Sequence, residues 1–153
     1  MVTPELLRRY PFFAGLTHQQ LTSLATVAHT MSFEAGETVF RDGEPASCLY
    51  LVVDGQVRLF IESDYQGHRV NITDGDEREV LGWSALVAPY EYTATAECSR
   101  QSELISFDVF ELRRIIEADS RVGYVIMHGL CDGLESRLRC AYVELASLVP
   151  VPA

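Results

Sequence analysis

The residues best suited to binding chemistry lie in one stretch, Arg78 to Cys98, where a glycine precedes a short helical turn. Gly82 permits a backbone conformation closed to other residues. Ser84 suits the start of a helical turn, which Pro89 then ends. Free backbone N–H groups at such a start point one way and attract an anion. The stretch predicts a small concave site, closed by a strand from Tyr92 to Cys98. A tight β-to-β connection without a ligand explains the local pattern equally well.

The cysteines and histidines do not form a catalytic or metal-binding cluster. No two of the cysteines make a C-x-x-C pair, so buried free thiols are the preferred interpretation. No histidine has a second histidine or a carboxylate at a recognisable metal spacing. All twelve basic residues are arginine, which excludes a Walker-type phosphate lysine and Schiff-base chemistry. No metal site and no cofactor is therefore expected. The residues concerned are Cys48, Cys98, Cys131, Cys140, His18, His29, His68 and His128.

Two further patterns superficially suggest chemistry. The acidic run Asp74-Gly75-Asp76-Glu77 could hold a cation, but it lacks the spacing of a calcium loop, so a solvated turn is preferred. Gly82-Trp83-Ser84-Ala85-Leu86 partly matches a Gly-x-Ser-x-Gly nucleophile elbow, but the last glycine is absent. No Asp and His follow in a credible order on an α/β scaffold, so the sequence does not predict an enzyme.

Length and charge limit the remaining functions. The 153 residues suit one domain with a single sizeable core. No apolar run reaches the roughly eighteen residues of a membrane helix, and the N-terminus is not a signal peptide, which predicts a cytoplasmic protein without membrane contact. A formal net charge of −10 opposes binding to nucleic-acid backbones, because phosphate contacts need clustered cations.

The chain begins with helical patterns and then changes period. Pro4 suits the first turn of a short helix, and Thr17 with Gln20 has the form of a capping box. The helix that follows places Leu21, Leu24, Ala25 and Ala28 on one face. From Met31 to Phe107 short alternating strands separated by glycine turns predict an antiparallel roll or barrel.

The C-terminal third predicts two helices. Asp108 can cap a helix over 109–117, and Asp119-Ser120 restarts the pattern to about Leu148. Such a helix is longer than a small roll can cover, so its surplus apolar face needs a partner, most simply the same helix of a second chain. Packing along its own roll is the alternative. Gly129 and Gly133 could allow close approach of a neighbour. The apolar seam, close to a heptad, comprises Met127, Leu130, Leu134, Leu138, Ala141, Leu145 and Leu148.

Several ordered segments together resemble the cyclic-nucleotide-binding domain superfamily. They are Phe12–Leu16, Ala35–Glu37, Asp42–Pro45, Leu49–Gly55 and Gly82–Leu86. The resemblance implies a mainly β fold with flanking helices: an eight-stranded, jelly-roll-like double-stranded β-helix, followed by a long C-terminal helix that dimerises and relays ligand occupancy. On this view residues 1–153 are one domain, with N-terminal helices at 1–30, a β-roll at 31–107 carrying a phosphate-binding cassette at 80–96, and C-terminal helices at 108–148.

The cassette departs from the pattern of members that bind cyclic nucleotides. Those members place Glu after the first glycine as acceptor for the ribose hydroxyl, and Arg before a Ser/Thr-Ala pair to neutralise the phosphate. Trp83 stands at the first position and Tyr92, preceded by Glu91, at the second. Backbone N–H groups of residues 83–85 and the Thr93 hydroxyl remain as donors for a small anionic ligand, a cyclic nucleotide or another. The candidate ligand-binding residues are Gly82, Trp83, Ser84, Ala85, Tyr92, Thr93 and Ala94.

Two functions follow as competing hypotheses. The first is a non-enzymatic small-ligand sensor or regulatory module, not a high-affinity cyclic AMP binder, that acts through a homodimer and through another protein. The sequence ends at Ala153 with no room for the helix-turn-helix domain of related regulators, so no DNA binding by this chain alone is expected. The second is a ligand-free structural or protein-interaction domain whose pocket is filled by Trp83, Tyr90 and Tyr92.

Overall fold

Two four-stranded antiparallel sheets contribute to one hydrophobic core, over which four α-helices pack. The computed structural model describes residues 1–63, 67–75, 79–150 and 152. Within these ranges the helices are α1 (Pro4–Arg8), α2 (His18–Thr26), α3 (Val109–Ala118) and α4 (Ser120–Ser147), with 3₁₀ helices at Pro11–Phe13 and Trp83–Leu86. The strands are β1 (Ala28–Phe33), β2 (Thr38–Phe40), β3 (Cys48–Asp54), β4 (Val57–Glu62), β5 (Arg69–Gly75), β6 (Val80–Leu81), β7 (Thr95–Cys98) and β8 (Ser102–Asp108). This architecture confirms the predicted mainly β fold with a long C-terminal helix.

Strand order places both ends of the predicted cassette beside the core. One sheet has the order β1-β8-β3-β6 and the other β2-β7-β4-β5. The central strands β3 and β8 are buried and rich in Leu, Ile, Val and Phe, as expected of strands covered on both faces. Strand β6 pairs with β3 and β7 pairs with β4, so the cassette joins one sheet to the other.

The N-terminal helices are capped as the sequence predicts. Thr3 accepts a hydrogen bond from the Leu6 amide at 3.2 Å, and Thr17 with Gln20 forms a complete capping box. The apolar face predicted for α2 is wrong at one position, Ala28. The helix ends at Thr26, and Ala28 is already in β1, where it pairs with Phe107. The ladder with β8 satisfies the backbone there and overrides the helical spacing.

The strand predicted over 92–98 begins three residues late. Strand β7 starts at Thr95, because Tyr92 pairs instead with the turn before β3. The Tyr92 amide donates to Glu44 O at 2.9 Å, and the Tyr92 carbonyl accepts from the Gly43 amide at 2.8 Å. The acidic run from Asp74, which was predicted as a turn, begins inside β5, since that strand runs to Gly75. Residues 76–77 of the acidic run lie outside the described residues.

Both predicted caps of the C-terminal helices are present. Asp108 accepts from the Phe110 and Glu111 amides, and Asp119 accepts from the Arg121 and Val122 amides. Gln20 of α2 donates to the Asp119 carboxylate at 3.0 Å and holds its pKa below the usual value. Helix α4 begins at Ser120 and ends at Ser147, in agreement with the predicted pattern. Among the described residues, no helix combines the length and apolar character needed to cross a membrane.

The predicted seam on α4 is divided between the interior and the surface. Leu130 was expected on the partner-facing side, but it is 4% exposed and packs in the core of its own chain. The other large members stay exposed, from 38% at Met127 to 77% at Leu148. Beyond Arg137 every residue of α4 is exposed, so Leu138 and Leu145 have no cover within the chain.

Three glycines of α4 are contact points with other parts of the chain. A Cβ at position 123 would lie 2.9 Å from the Ile116 side chain of α3, and one at 129 would lie 2.7 Å from the Phe12 ring. A Cβ at Gly133 would overlap the Trp83 ring in the cassette. The close approach predicted for Gly129 and Gly133 therefore occurs, and the neighbours are the chain's own aromatic rings.

Candidate functional site

The cassette begins with a glycine that no other residue replaces easily. Gly82 has φ of +82°, and a Cβ there would lie 2.8 Å from the Cys48 carbonyl oxygen. It caps the 3₁₀ helix Trp83–Leu86, so Ser84 lies inside the helix, where a cap had been expected at or near it. Left-handed backbone geometry and close packing against β3 together account for the glycine.

The backbone donors of the cassette are fewer than predicted. The Ala85 amide donates to Gly82 O at 3.1 Å, because a 3₁₀ helix closes its hydrogen bonds at three-residue spacing. Ala85 is fully buried, and its carbonyl accepts from Arg113 Nη2 of α3 at 2.9 Å. Ala85 is thus part of the support of the cassette and does not line the cavity described below.

Tyr92 lies inside the fold at the cassette position where members that bind cyclic nucleotides carry an arginine. Its hydroxyl accepts from the Cys48 amide at 3.1 Å and donates to the Cys48 carbonyl at 2.8 Å. Its ring stacks on Phe40, with 3.9 Å between the ring centroids. Burial raises the pKa of Tyr92 above its ordinary value, so the side chain is neutral. Both hydrogen-bonding roles of the hydroxyl are used by β3.

Trp83 connects the cassette to α4. Its ring lies against Gly133, and the Arg137 guanidinium carbon is 4.0 Å from the ring centroid on one face. Such cation–π stacking is attractive and strengthens as water is excluded. Trp83 is therefore enclosed between a glycine and an arginine that are four residues, about one turn, apart on α4.

A cavity of about 220 Å³ lies between the cassette and α4. Six of the seven predicted site residues line it, Ala85 being the exception. Tyr90, suggested as a pocket-filling residue, does not line it and instead lies 42% exposed under the Arg113 guanidinium. The lining residues are Phe40, Leu59, Gly82, Trp83, Ser84, Val87, Tyr92, Thr93, Ala94, Leu130, Leu134 and Arg137.

The sequence interpretation missed the contribution of α4 to this cavity. Leu130, Leu134 and Arg137 follow at spacings of four and three, so they share one helix face. Burial lowers the pKa of Arg137, an effect that Glu79 partly opposes, although a guanidinium stays protonated. Two donor atoms here, Trp83 Nε1 and Arg137 Nη2, are buried and have no hydrogen-bond partner among the described residues. The helical spacing that places Leu130, Leu134 and Arg137 on one face is the sequence signal that could have revealed the contribution of α4 to the cavity.

The side chains that could bind a metal ion are scattered in the described part of the chain. No group of three or more His, Cys, Asp or Glu side chains is clustered there in a way that could hold a metal ion. The four cysteines are unpaired, and only Cys98 is fully buried, so the predicted burial of all four thiols is wrong for Cys131 and Cys140. Both lie on exposed positions of α4.

Comparison with known proteins identifies the family. The family model described as the cyclic nucleotide-binding domain matches residues 30–119, more than half of the chain. The chain belongs to this family. The domain is 30% identical to a solved candidate cyclic nucleotide-binding protein from Geobacter metallireducens, with a TM-score of 0.80, over 90% of this chain and 99% of that one. The catabolite activator protein of Thermus thermophilus is 27% identical, with a TM-score of 0.73, over 90% of this chain and 62% of that one.

Curated relatives of the domain are longer proteins. A candidate potassium channel protein of Rhodopseudomonas palustris is 26% identical over 80% of this chain and 29% of its own length. A CRP-like cAMP-activated global transcriptional regulator of Mycobacterium tuberculosis is 25% identical over 95% of this chain and 62% of its own length. The chain thus spans less than two thirds of either protein. These relatives support a regulatory module of the cyclic-nucleotide-binding type.

Proposed function

We propose that this domain is a non-enzymatic sensor module whose cavity binds a small ligand and whose α4 relays occupancy through a homodimer to another protein. The observation that carries the proposal is that the cavity is bounded jointly by the cassette and α4. A ligand in contact with both elements changes their mutual packing, which is what a relay requires. The proposal does not include DNA binding by this chain alone, because a net charge of −10 opposes contact with phosphates.

Leu134 supplies a physical link between the cavity and assembly. It lines the cavity and is also 47% exposed on the seam face of α4. A ligand that contacts one side of Leu134 therefore influences the surface on which a second copy would pack. This arrangement supports coupling between ligand binding and dimer geometry.

Tyr92 and Trp83 favour a second candidate, a ligand-free interaction domain. Tyr92 satisfies its own hydroxyl against Cys48, and Trp83 occupies space between the cassette and Gly133. On this hypothesis the aromatic rings replace a ligand permanently. The cavity that remains between them and α4 is the reason to place the sensor hypothesis first.

A cavity-filling substitution separates the two candidates. Ala94 is 7% exposed and lines the cavity, so Ala94→Phe places a ring in the ligand space. In a thermal-shift screen of nucleotides, organic acids and thiols, we expect at least one compound to stabilise the wild type and not Ala94→Phe. A ligand at a hundred times its Kd stabilises the folded state by about 2.7 kcal/mol, a readily visible shift.

The control for this screen is Ala35→Phe, which adds the same ring in an exposed turn between β1 and β2. It should respond to ligand as the wild type does, and circular dichroism establishes that both variants are folded. Hits that stabilise Ala94→Phe and the wild type equally would place binding elsewhere and favour the ligand-free candidate for this cavity.

Cyclic AMP is expected to show no saturable binding in the micromolar range. The ribose acceptor is replaced by Trp83, and the cation of the cassette is replaced by Tyr92, whose hydroxyl is already bound to Cys48. A charge-assisted contact is roughly twice as strong as a neutral one, so this loss is large. Titration calorimetry with a cyclic-AMP-binding domain as positive control measures it. A micromolar or tighter Kd for this chain would contradict the expectation.

A further inference from the structure

We infer that the cavity selects a small monocarboxylate with an apolar body, and that Arg137 of α4 binds its carboxylate. The inference rests on the proposed sensor function and names the ligand class of that same site. It places the cation on the C-terminal helix, whereas the cassette has a neutral Tyr92 in the position where a cation was sought.

The two unpartnered atoms define what the ligand must offer. Indole and guanidinium nitrogens only donate hydrogen bonds, so the partner that Trp83 Nε1 and Arg137 Nη2 lack among the described residues is an acceptor. Buried polar groups without a partner are rare and costly, and they call for an explanation such as a bound ligand or ion. Both side chains line the cavity, so one acceptor group there can serve them.

The shape of Arg137 favours a carboxylate. Its guanidinium carbon lies 4.0 Å from the Trp83 ring centroid, and its Nη2 has no hydrogen-bond partner among the described residues and is available to an anion. Planar two-oxygen anions match this fork in geometry and charge. Partial burial lowers the pKa of Arg137 without discharging it, so the cation is present and weakly solvated.

Size and charge exclude larger polyanions. The volume of about 220 Å³ lies below the range of about 300–1,000 Å³ common for drug-sized ligands. The rest of the lining is mainly apolar and includes Leu59, Leu130 and Leu134. A net charge of −10, with Glu91 next to Tyr92, repels multiply charged phosphates. A single carboxylate on an apolar body suits all three properties.

Arg137→Gln tests the assignment, with phenylacetate and hexanoate as probes. Trp83 is the only tryptophan, so its fluorescence reports binding directly. We expect saturable titrations in the wild type. The affinity of Arg137→Gln should be weaker by roughly tenfold or more, since a hydrogen bond to a charged group is lost. Arg137→Lys, which keeps the charge and loses the fork, should be intermediate. The neutral analogue phenylacetamide should bind both proteins equally weakly.

Arg139→Gln is the matched control, because it removes the same charge from an exposed position of α4 that pairs with Glu135. Its titration should match the wild type. Equal affinity of Arg137→Gln and wild type for the carboxylates, or a ligand of another class that ignores Arg137, overturns the assignment and leaves the sensor function standing. If no compound of any class, including inorganic phosphate and cyclic AMP, binds the wild type, then the sensor function fails and this inference with it.

Discussion

Replacing Leu138 and Leu145 together by glutamate should convert a dimer of this domain into a folded monomer. The two leucines are 51% and 61% exposed and lie seven residues apart on the seam face of α4. Burying each against a second helix is worth about 1.5–3 kcal/mol, and a buried unpaired carboxylate is costly. Neither residue packs in the chain's own core, so the monomer should keep its fold. Light scattering at tens of micromolar and circular dichroism measure the two parts of this result.

The matched control is Ser136→Glu with Val143→Glu. These exposed positions are also seven residues apart and the substitutions add the same charge, but they lie on the opposite face of α4. This variant should remain a dimer. A monomeric wild type at the same concentration would refute the seam as an interface.

Gly133→Ala should destabilise the fold, although alanine is the better helix former. In an exposed helix the change gains about 1 kcal/mol. Here the added Cβ would lie 2.5 Å from Trp83 Cζ2, so the indole or the helix must move. Overpacking of this kind costs about 1–3 kcal/mol, so a lower free energy of unfolding is expected in chemical denaturation followed by circular dichroism.

A double-mutant cycle identifies the cause. In a Trp83→Leu background the ring is gone, and Gly133→Ala should then stabilise the protein by its helix propensity. Its effect on stability should therefore change sign between the two backgrounds. The same destabilisation in both would show that the glycine is needed for a reason other than the indole.

The features that were predictable from sequence are those fixed by neighbouring residues. The caps at Thr17, Asp108 and Asp119 and the left-handed Gly82 each depend on groups within a few positions. Local signal failed where a distant strand competes for the backbone. Ala28 continues a helical face in the sequence, but its pairing with Phe107 of β8 places it in a strand.

Arg137 shows the limit of sequence reasoning for the site. It is 54 positions from Trp83, and the stack between them depends on how α4 crosses the cassette. The apolar spacing of α4 contains two overlapping faces, one with buried Leu130 and one with exposed Leu138. A single seam that includes both faces does not reveal that Arg137 lies on the inward side of the helix. The rotation of the helix is fixed by packing between distant residues, such as Gly129 on Phe12 and Gly133 on Trp83.

The glycine contacts of α4 also give the helix the properties of a lever. Gly129 rests on Phe12 and Gly133 on Trp83, at positions about 6 Å apart along the helix axis. The helix continues to Ser147, about 27 Å beyond Gly129. If α4 pivots about Gly129 as a rigid body, a displacement of about 1 Å at Trp83 would become one of about 4–5 Å at the end of the helix. A movement smaller than an atomic diameter beside the cavity would then shift the far end of α4 sideways by nearly the length of one helical turn, about 5.4 Å.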